Sequence, residues 1–127
     1  MDITPLIPAG RQIVESYGQG RFRVSGAVYA GSVLVFPDRT LAWPVAAAGE
    51  VTIKALTEVT AAGRAGGVEL LLLGCGTRMM LVPSALRAAL KEAGVVVEPM
   101  DTGAACRTYN LLMADGRRVA AALIAVD

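Results

Sequence analysis

Residues 68–76 read Val-Glu-Leu-Leu-Leu-Leu-Gly-Cys-Gly, and this stretch carries the strongest indication of the fold. Its leucines are apolar on both faces of an extended segment, and residues 119–126, Val-Ala-Ala-Ala-Leu-Ile-Ala-Val, have the same character. Strands that are apolar on both faces lie inside a sheet covered on both sides, which is typical of parallel pairing. We therefore predict that Val68–Leu73 and Val119–Val126 are interior strands of one sheet.

The segments between these two strands predict a β-α-β-α-β order. Ser84 is a candidate N-cap, and Gly94 stands where a glycine commonly ends a helix. Right-handed crossovers then join the parallel strands. The predicted elements in order are a strand at Val68–Leu73, a helix at Ser84–Ala93, a strand at Val95–Val97, a helix from Asp101 or Thr102 to about Ala114, and a strand at Val119–Val126.

The N-terminal half predicts antiparallel strands. The segment Phe22–Val35 is rich in Val, Tyr, Phe and Ser, and each of its two internal glycines predicts a bend or bulge. Pro37–Thr40 predicts a turn, because proline presets φ and aspartate bonds to the local backbone. Residues 41–43 can then return as the hairpin partner of residues 32–36.

These patterns together predict one α/β domain over residues 1–127. Its mixed β-sheet takes the β-α-β-α-β order from the C-terminal half and antiparallel strands from the N-terminal half. Thr57–Arg64 is a predicted short helix, and residues 1–16 are a predicted irregular lead-in. A length of 127 residues suits a single domain.

The composition excludes several kinds of site. The chain has no histidine, which rules out a Ser-His-Asp triad, a Cys-His pair and a histidine-ligated metal. Twelve basic and eleven acidic side chains leave a net charge of +1, which argues against a dedicated nucleic-acid binder. The two cysteines lack metal-ligand spacing. We therefore expect no cofactor and no metal, assign no catalytic residue, and disfavour an enzyme without excluding one.

The sequence also predicts a location. No apolar run is long enough to span a bilayer, and the first residues lack the basic and apolar regions of a signal peptide. We therefore expect a cytoplasmic protein with reduced thiols.

Two segments at the carboxyl ends of the predicted parallel strands form the candidate functional site. Ligands of such sheets bind at this edge, close to helix N-termini. Gly74–Arg78 follows one strand, and Met100–Tyr109 leads from the next strand into a helix. We predict a pocket between residues 74–78 and 100–109. Its candidate residues are Gly74, Cys75, Gly76, Asp101, Thr102, Cys106, Arg107 and Tyr109.

Each candidate also has a purely structural interpretation. Gly74–Gly76 lacks the third glycine of a dinucleotide fingerprint, so a tight turn is the favoured explanation. Cys75 and Cys106 are either a redox-sensitive pair, with the helix dipole lowering the pKa of Cys106, or two small buried side chains. Asp101 suits a helix cap. The polar run 107–110 either binds a small anion through Arg107 or forms an internal hydrogen-bond network with the N-terminal strands.

Four stretches together resemble one known family: Phe22–Gly26, Gly31–Val35, Leu72–Gly76 and Met100–Asn110. They are similar to the small domain family that includes the mitochondrial complex I assembly factor 3, and the likeness runs from about Tyr17 to Ala125. The resemblance implies a compact α/β domain without established enzyme activity, here a free-standing prokaryotic member. Its mitochondrial members assist assembly of the respiratory NADH dehydrogenase through protein contacts. The family more often has Thr where this chain has Cys75, which weakens the cysteine-pair hypothesis.

The leading functional hypothesis is a non-enzymatic protein-interaction domain, an assembly factor for a respiratory membrane complex. A protein partner is expected, and a homo-oligomer is left open. The alternative is a small-ligand binder or an enzyme that uses the pocket between residues 74–78 and 100–109. Nucleic-acid binding is the weakest candidate because the charge is balanced.

Overall fold

The computed structural model describes residues 10–127, which form two sheets and three helices. Short 3-10 turns at Ala48–Glu50 and Lys54–Leu56 precede the first helix. The strands are β1 Val14–Gly18, β2 Arg21–Val24, β3 Ala27–Ala30, β4 Val33–Phe36, β5 Arg39–Ala42, β6 Leu70–Gly74, β7 Val96–Met100 and β8 Val119–Leu123. The helices are α1 Thr57–Arg64, α2 Ser84–Glu92 and α3 Thr102–Ala114.

The larger sheet has five strands in the order β5-β4-β8-β6-β7. β6 runs parallel to both β7 and β8, whereas β4 pairs antiparallel with β8. The two strands predicted to be interior, β6 and β8, therefore each have a neighbour on both sides. β6 begins at Leu70 rather than Val68, because Glu69 is exposed and its carboxylate binds Arg118 at 2.7 Å. The mixed α/β sheet and the C-terminal β-α-β-α-β order are confirmed.

The sheet is covered on both faces, so consecutive residues of β6 enter different cores. Leu71 and Leu73 face the side of α1 and α2, where Leu90 is also buried. Leu72 faces the side of α3 and packs with Tyr109. Burying each such leucine contributes roughly 1.5–3 kcal/mol, which explains why this strand is apolar throughout.

The N-terminal strands β1–β3 form a separate three-stranded antiparallel sheet. We expected the antiparallel strands of the N-terminal half to join the same sheet as β6–β8. Of these strands, β4 and β5 do so and β1–β3 do not. Ser25 and Gly26 join β2 to β3 with φ values of 44° and 86°, the backbone of a two-residue hairpin turn. Phe22 and Val24 point from this small sheet into the core beneath α3.

Two predicted boundaries differ from the structure in this region. The lead-in was predicted to extend to residue 16, but β1 begins at Val14, whose backbone is bonded by the side chain of Asn110. The part of the lead-in at residues 1–9 lies outside the described residues. The turn after β4 is shorter than predicted, because Phe36 pairs directly with Arg39 across Pro37 and Asp38.

Of the three described helices, α3 has a side-chain N-cap, whereas α1 and α2 begin without one. α1 spans Thr57–Arg64 as predicted. Asp101, the first of two predicted alternatives, caps α3 by accepting a hydrogen bond from the backbone N–H of Ala104 at 2.9 Å. The predicted cap at Ser84 is wrong: Pro83 holds the extended cap position, and no side chain bonds the first turn of α2.

An aspartate introduced into β8 tests this architecture. The side chains of Ala121 and Ala122 are buried, one on each face of the sheet. Ala121→Asp or Ala122→Asp buries an unpaired carboxylate, so we expect the free energy of unfolding to fall by at least about 3 kcal/mol. Ala88→Asp on the exposed side of α2 is the control. Urea denaturation measures the free energy of unfolding of each variant. An equal decrease in the β8 variants and in the control would contradict the position of β8 inside the sheet.

Candidate functional site

The two predicted site segments meet along a hydrogen-bonded seam. The backbone N–H of Cys75 donates to the carbonyl of Met100 at 2.8 Å, and the N–H of Thr102 donates to the carbonyl of Gly76 at 2.8 Å. The buried Thr102 hydroxyl accepts from the Gly76 N–H at 3.0 Å and donates to the carbonyl of Ile124 at 2.7 Å. Thr102 thereby ties together the chain segments that leave β6, β7 and β8.

The glycines of the first segment serve this close approach. A methyl group at Gly74 would lie 3.1 Å from Cα of Thr102 and 3.1 Å from the Leu123 side chain. Gly76 has a φ of +101°, a conformation that favours glycine. Close packing at Gly74 and the positive φ at Gly76 therefore account for both glycines without a ligand.

The second segment opens α3 with a capping carboxylate and a close packing contact. Asp101 bonds the Ala104 N–H, so its carboxylate satisfies a free donor of the first helical turn. Gly103 is buried beneath the Tyr17 hydroxyl group, which would collide with a side chain at this position. The first turn of α3 is consequently packed against β1.

The two cysteines lie in different cores. Cys75 belongs to the core of α1 and α2, and its thiol approaches the carbonyl oxygen of Leu73 at 3.5 Å. Cys106 belongs to the core of α3, on the other face of the sheet. A direct disulfide between them would have to pass through the sheet, so the structure does not bring them together.

Burial determines the pKa of the Cys106 thiol. Removal from water raises its pKa to about 12, against smaller lowering effects from Arg107 and from a backbone hydrogen bond. Of the two interpretations of the cysteines, the structure agrees with two small buried side chains and not with a Cys106 thiol of lowered pKa. Cys106 is the fifth residue of α3, beyond the first turn in which the dipole acts strongly.

The polar run on α3 divides into an internal part and an exposed part. Asn110 accepts from the Val14 N–H at 2.8 Å and donates to the Val14 carbonyl at 2.7 Å. The buried Tyr109 donates its hydroxyl hydrogen to the carbonyl of Gln12 at 2.9 Å. Arg107 is exposed, and its guanidinium lies 3.5 Å from the Tyr17 hydroxyl. The geometry thus assigns Tyr109 and Asn110, but not Arg107, to the internal network.

A groove of about 550 Å³ lies on one flank of the seam. It is lined by residues 46–49, by Cys75–Arg78 and by Ile124–Asp127, whereas Asp101, Cys106 and Tyr109 are not part of its wall. The structure thus separates the predicted site residues into the groove side, the seam and the core beneath α3.

Sequence reasoning overlooked a second feature beside this groove. Met79, Met80 and Leu81, which we call the apolar loop, are 52%, 50% and 87% exposed. The available signal was the run of four consecutive apolar residues, Met79–Val82, between Arg78 and Pro83 and outside any predicted element.

Within residues 10–127, no cluster of three acidic or sulfur ligands is placed to bind a metal ion. No helix in that same range has the length and hydrophobicity needed to cross a bilayer.

This α/β domain, a five-stranded mixed sheet with a small antiparallel sheet beside α3, is found in solved bacterial structures. One from Bartonella henselae, described as an outer membrane protein, has a TM-score of 0.86 and 33% identity, covering 93% of this chain and 98% of that chain. A Mth938-like domain protein of Bordetella pertussis has a TM-score of 0.84 and 29% identity, covering 98% and 92%.

The family model for a protein of unknown function, DUF498/DUF598, matches residues 14–124, and the chain belongs to this family. An uncharacterised protein of Rhodobacter capsulatus is 39% identical over 116 residues, 91% of this chain and 86% of the relative. NADH dehydrogenase [ubiquinone] 1 alpha subcomplex assembly factor 3 of Danio rerio is 31% identical over 112 residues, 88% of this chain and 63% of the relative. These matches confirm the family resemblance seen in the sequence. The chain spans about six-tenths of the length of the assembly factors that it matches.

Alanine substitutions in the polar run 107–110 distinguish the side chain that stabilises the fold from the one that is exposed. Asn110→Ala leaves the Val14 N–H and carbonyl without their partner, so we expect the free energy of unfolding to fall by about 1–3 kcal/mol. Arg107→Ala removes an exposed side chain and should change it by less than about 0.5 kcal/mol. Chemical denaturation measures both, with Thr108→Ala as the control. A larger loss for Arg107→Ala than for Asn110→Ala would place the arginine in the network instead.

The buried thiol predicts a loss of stability in alkali. The unfolded chain releases the Cys106 proton near its ordinary pKa of 9.0, whereas the folded chain holds it to about 12. The protonated Cys106 thiol therefore contributes to the free energy of unfolding in full below about pH 9. This contribution is lost as the pH rises towards about 12, at up to about 1.4 kcal/mol per pH unit. Burial also raises the pKa of Tyr109, in the same direction. Denaturation of wild type and Cys106→Ala across this range should show a shallower decline in the variant; parallel declines would contradict burial of the thiol.

Proposed function

We propose that this chain is a protein-interaction domain that assists assembly of a respiratory membrane complex, and that the apolar loop contacts the partner. The observation that carries the proposal is the exposure of three consecutive large apolar side chains, with Leu81 87% exposed. Contiguous exposed apolar surface commonly marks a protein contact, and methionine is enriched in interface cores.

The surroundings of the loop support this role. Below Met80 and Leu81 lies a mainly apolar groove of about 210 Å³, lined in part by Val51, Leu73 and Leu86. An apolar side chain of a partner can fill such a groove while the methionines fold over it, because unbranched thioether side chains adapt to the shape they meet. The seam fixes Gly76, so the loop starts from a rigid point.

The names of two relatives support a subunit of the respiratory NADH dehydrogenase as the partner. The proteins of Danio rerio and Homo sapiens that match this chain are named as assembly factors of NADH dehydrogenase. Their identities of 31% and 28%, over about six-tenths of their length, make the transfer of that role a proposal. The bacterial relatives cover most of this chain but carry no description of a partner.

A small-ligand site between residues 74–78 and 100–109 is the alternative proposal. Two of the polar residues at that junction are already engaged within the fold: Asp101 caps α3, and the Thr102 hydroxyl accepts from Gly76 and donates to Ile124. A ligand that bound to either residue would have to displace these bonds, whereas the exposed Arg107 can be reached without doing so. The protein-interaction proposal needs no such rearrangement, and we prefer it for that reason.

Replacing the apolar loop by serine tests the proposal. Affinity capture of the tagged chain from detergent-solubilised membranes of its source cell, followed by mass spectrometry, should recover subunits of the respiratory NADH dehydrogenase. The triple variant Met79→Ser, Met80→Ser, Leu81→Ser should keep its melting temperature, since these side chains are largely exposed, and should lose most of that recovery.

The matched control is Leu111→Ser, which removes a side chain that is 70% exposed on α3. It should recover the subunits as the wild type does. Equal recovery by the loop variant would refute the docking surface. Failure of the wild type to capture any subunit of that complex would refute the assembly role.

A further inference from the structure

A cleft of about 330 Å³ lies at the end of the larger sheet where β6 and β8 begin. This is the end opposite the apolar loop, which follows the carboxyl end of β6. Four arginines line the cleft, and Asp38 is the acidic residue of the wall. The four arginines are Arg11, Arg39, Arg117 and Arg118.

Two of these arginines are held in place by the fold. The Arg39 guanidinium lies 4.2 Å from the centre of the Phe36 ring, 3.3 Å from the Asp38 carboxylate and 4.0 Å from Glu58. Arg118 donates to the Glu69 carboxylate at 2.7 Å and to the Gly66 carbonyl at 3.2 Å. A guanidinium carries five N–H donors, so each retains donors for a further acceptor.

The other two arginines form no ion pair with these carboxylates, and the four arginines exceed Asp38, Glu58 and Glu69 by one charge. Arg11 and Arg117 are exposed, and within residues 10–127 neither has a carboxylate within 4.0 Å. Arg11 precedes β1, and Arg117 lies in the turn between α3 and β8. The fold therefore brings together positive charges that are distant in a sequence whose overall charge is only +1.

We propose that this arginine cleft binds a small molecule bearing a phosphate group. Several guanidiniums around one concavity suit an anion with more than one negative charge, and the planar fork of arginine matches phosphate oxygens in pairs. The volume lies at the lower end of the range of small-molecule sites.

The site is independent of the proposed protein contact, because the two lie at opposite ends of the sheet. A variant of one is therefore expected to leave the other intact. Arg11→Ala with Arg117→Ala removes the two charges that hold no ion pair among the described residues, so it should disturb the fold least. Arg21→Ala with Arg23→Ala, two exposed arginines of β2, removes the same charge elsewhere and is the matched control.

Pyrophosphate is the probe, titrated into the full chain and followed by calorimetry and by the melting temperature at constant ionic strength. We expect saturable binding to one site, a higher melting temperature on binding, and affinity at least about tenfold weaker in the Arg11/Arg117 variant. The Arg21/Arg23 variant should bind as the wild type does. Citrate, a multivalent carboxylate, should bind more weakly than pyrophosphate.

Three results would overturn the proposal. They are the absence of saturable pyrophosphate binding, an equal loss of affinity in the control variant, and citrate binding as tight as pyrophosphate. The first shows that the cleft is a solvated surface, the second that binding follows net charge, and the third that the cleft does not recognise phosphate. A direct check is amide NMR, in which the shifts on adding pyrophosphate should centre on residues 37–39 and 116–118.

Discussion

The hydroxyl group of Thr102 is the contact on which the carboxyl end of the parallel strands depends. It is buried, it accepts from Gly76 and it donates to Ile124, so a single side chain joins the chain segments that follow three parallel strands. A buried hydroxyl that lost one of these partners would leave a polar group unsatisfied inside the fold. The groove and the apolar loop both begin at this seam, and their positions follow from it.

The helix that starts at Thr102 also organises the N-terminal strands. Its inner face supplies apolar contacts to the larger sheet, while Tyr109 and Asn110 bond the backbone before and within β1. Side-chain amides suit this task because one amide can pair with both backbone groups of a strand residue. The small sheet is thereby attached to α3 by directional bonds as well as by packing.

Much of the fold could be predicted from local patterns. The leucines of β6 and the alanines of β8 indicated interior parallel strands because no face of them is polar. The cap at Asp101 followed from its position before a helix. The separate sheet of β1–β3 could not be predicted, because the choice between joining the larger sheet and packing on α3 depends on contacts between residues 96 and 97 positions apart.

The site was less predictable, for reasons that differ from residue to residue. Alternation along β6 already places Cys75 with Leu71 and Leu73, so its separation from Cys106 could have been inferred once α3 was assigned to a face. The exposure of Leu81 could not be inferred from the sequence, because an apolar side chain in a loop is buried or exposed according to whether another part of the chain packs against it. The arginine cleft requires the tertiary arrangement, since its four arginines come from three regions of the chain.

The central place of β8 has a consequence for how the chain is made. β8 lies between β4 and β6, yet it follows both of them in sequence. During synthesis, therefore, β4 and β6 emerge from the ribosome before the strand that joins them, and the edges that each presents to β8 stay open until residues 119–123 have emerged. Unpaired apolar edges are prone to aggregate. The nascent chain is thus exposed to aggregation for as long as β8 is missing from the sheet.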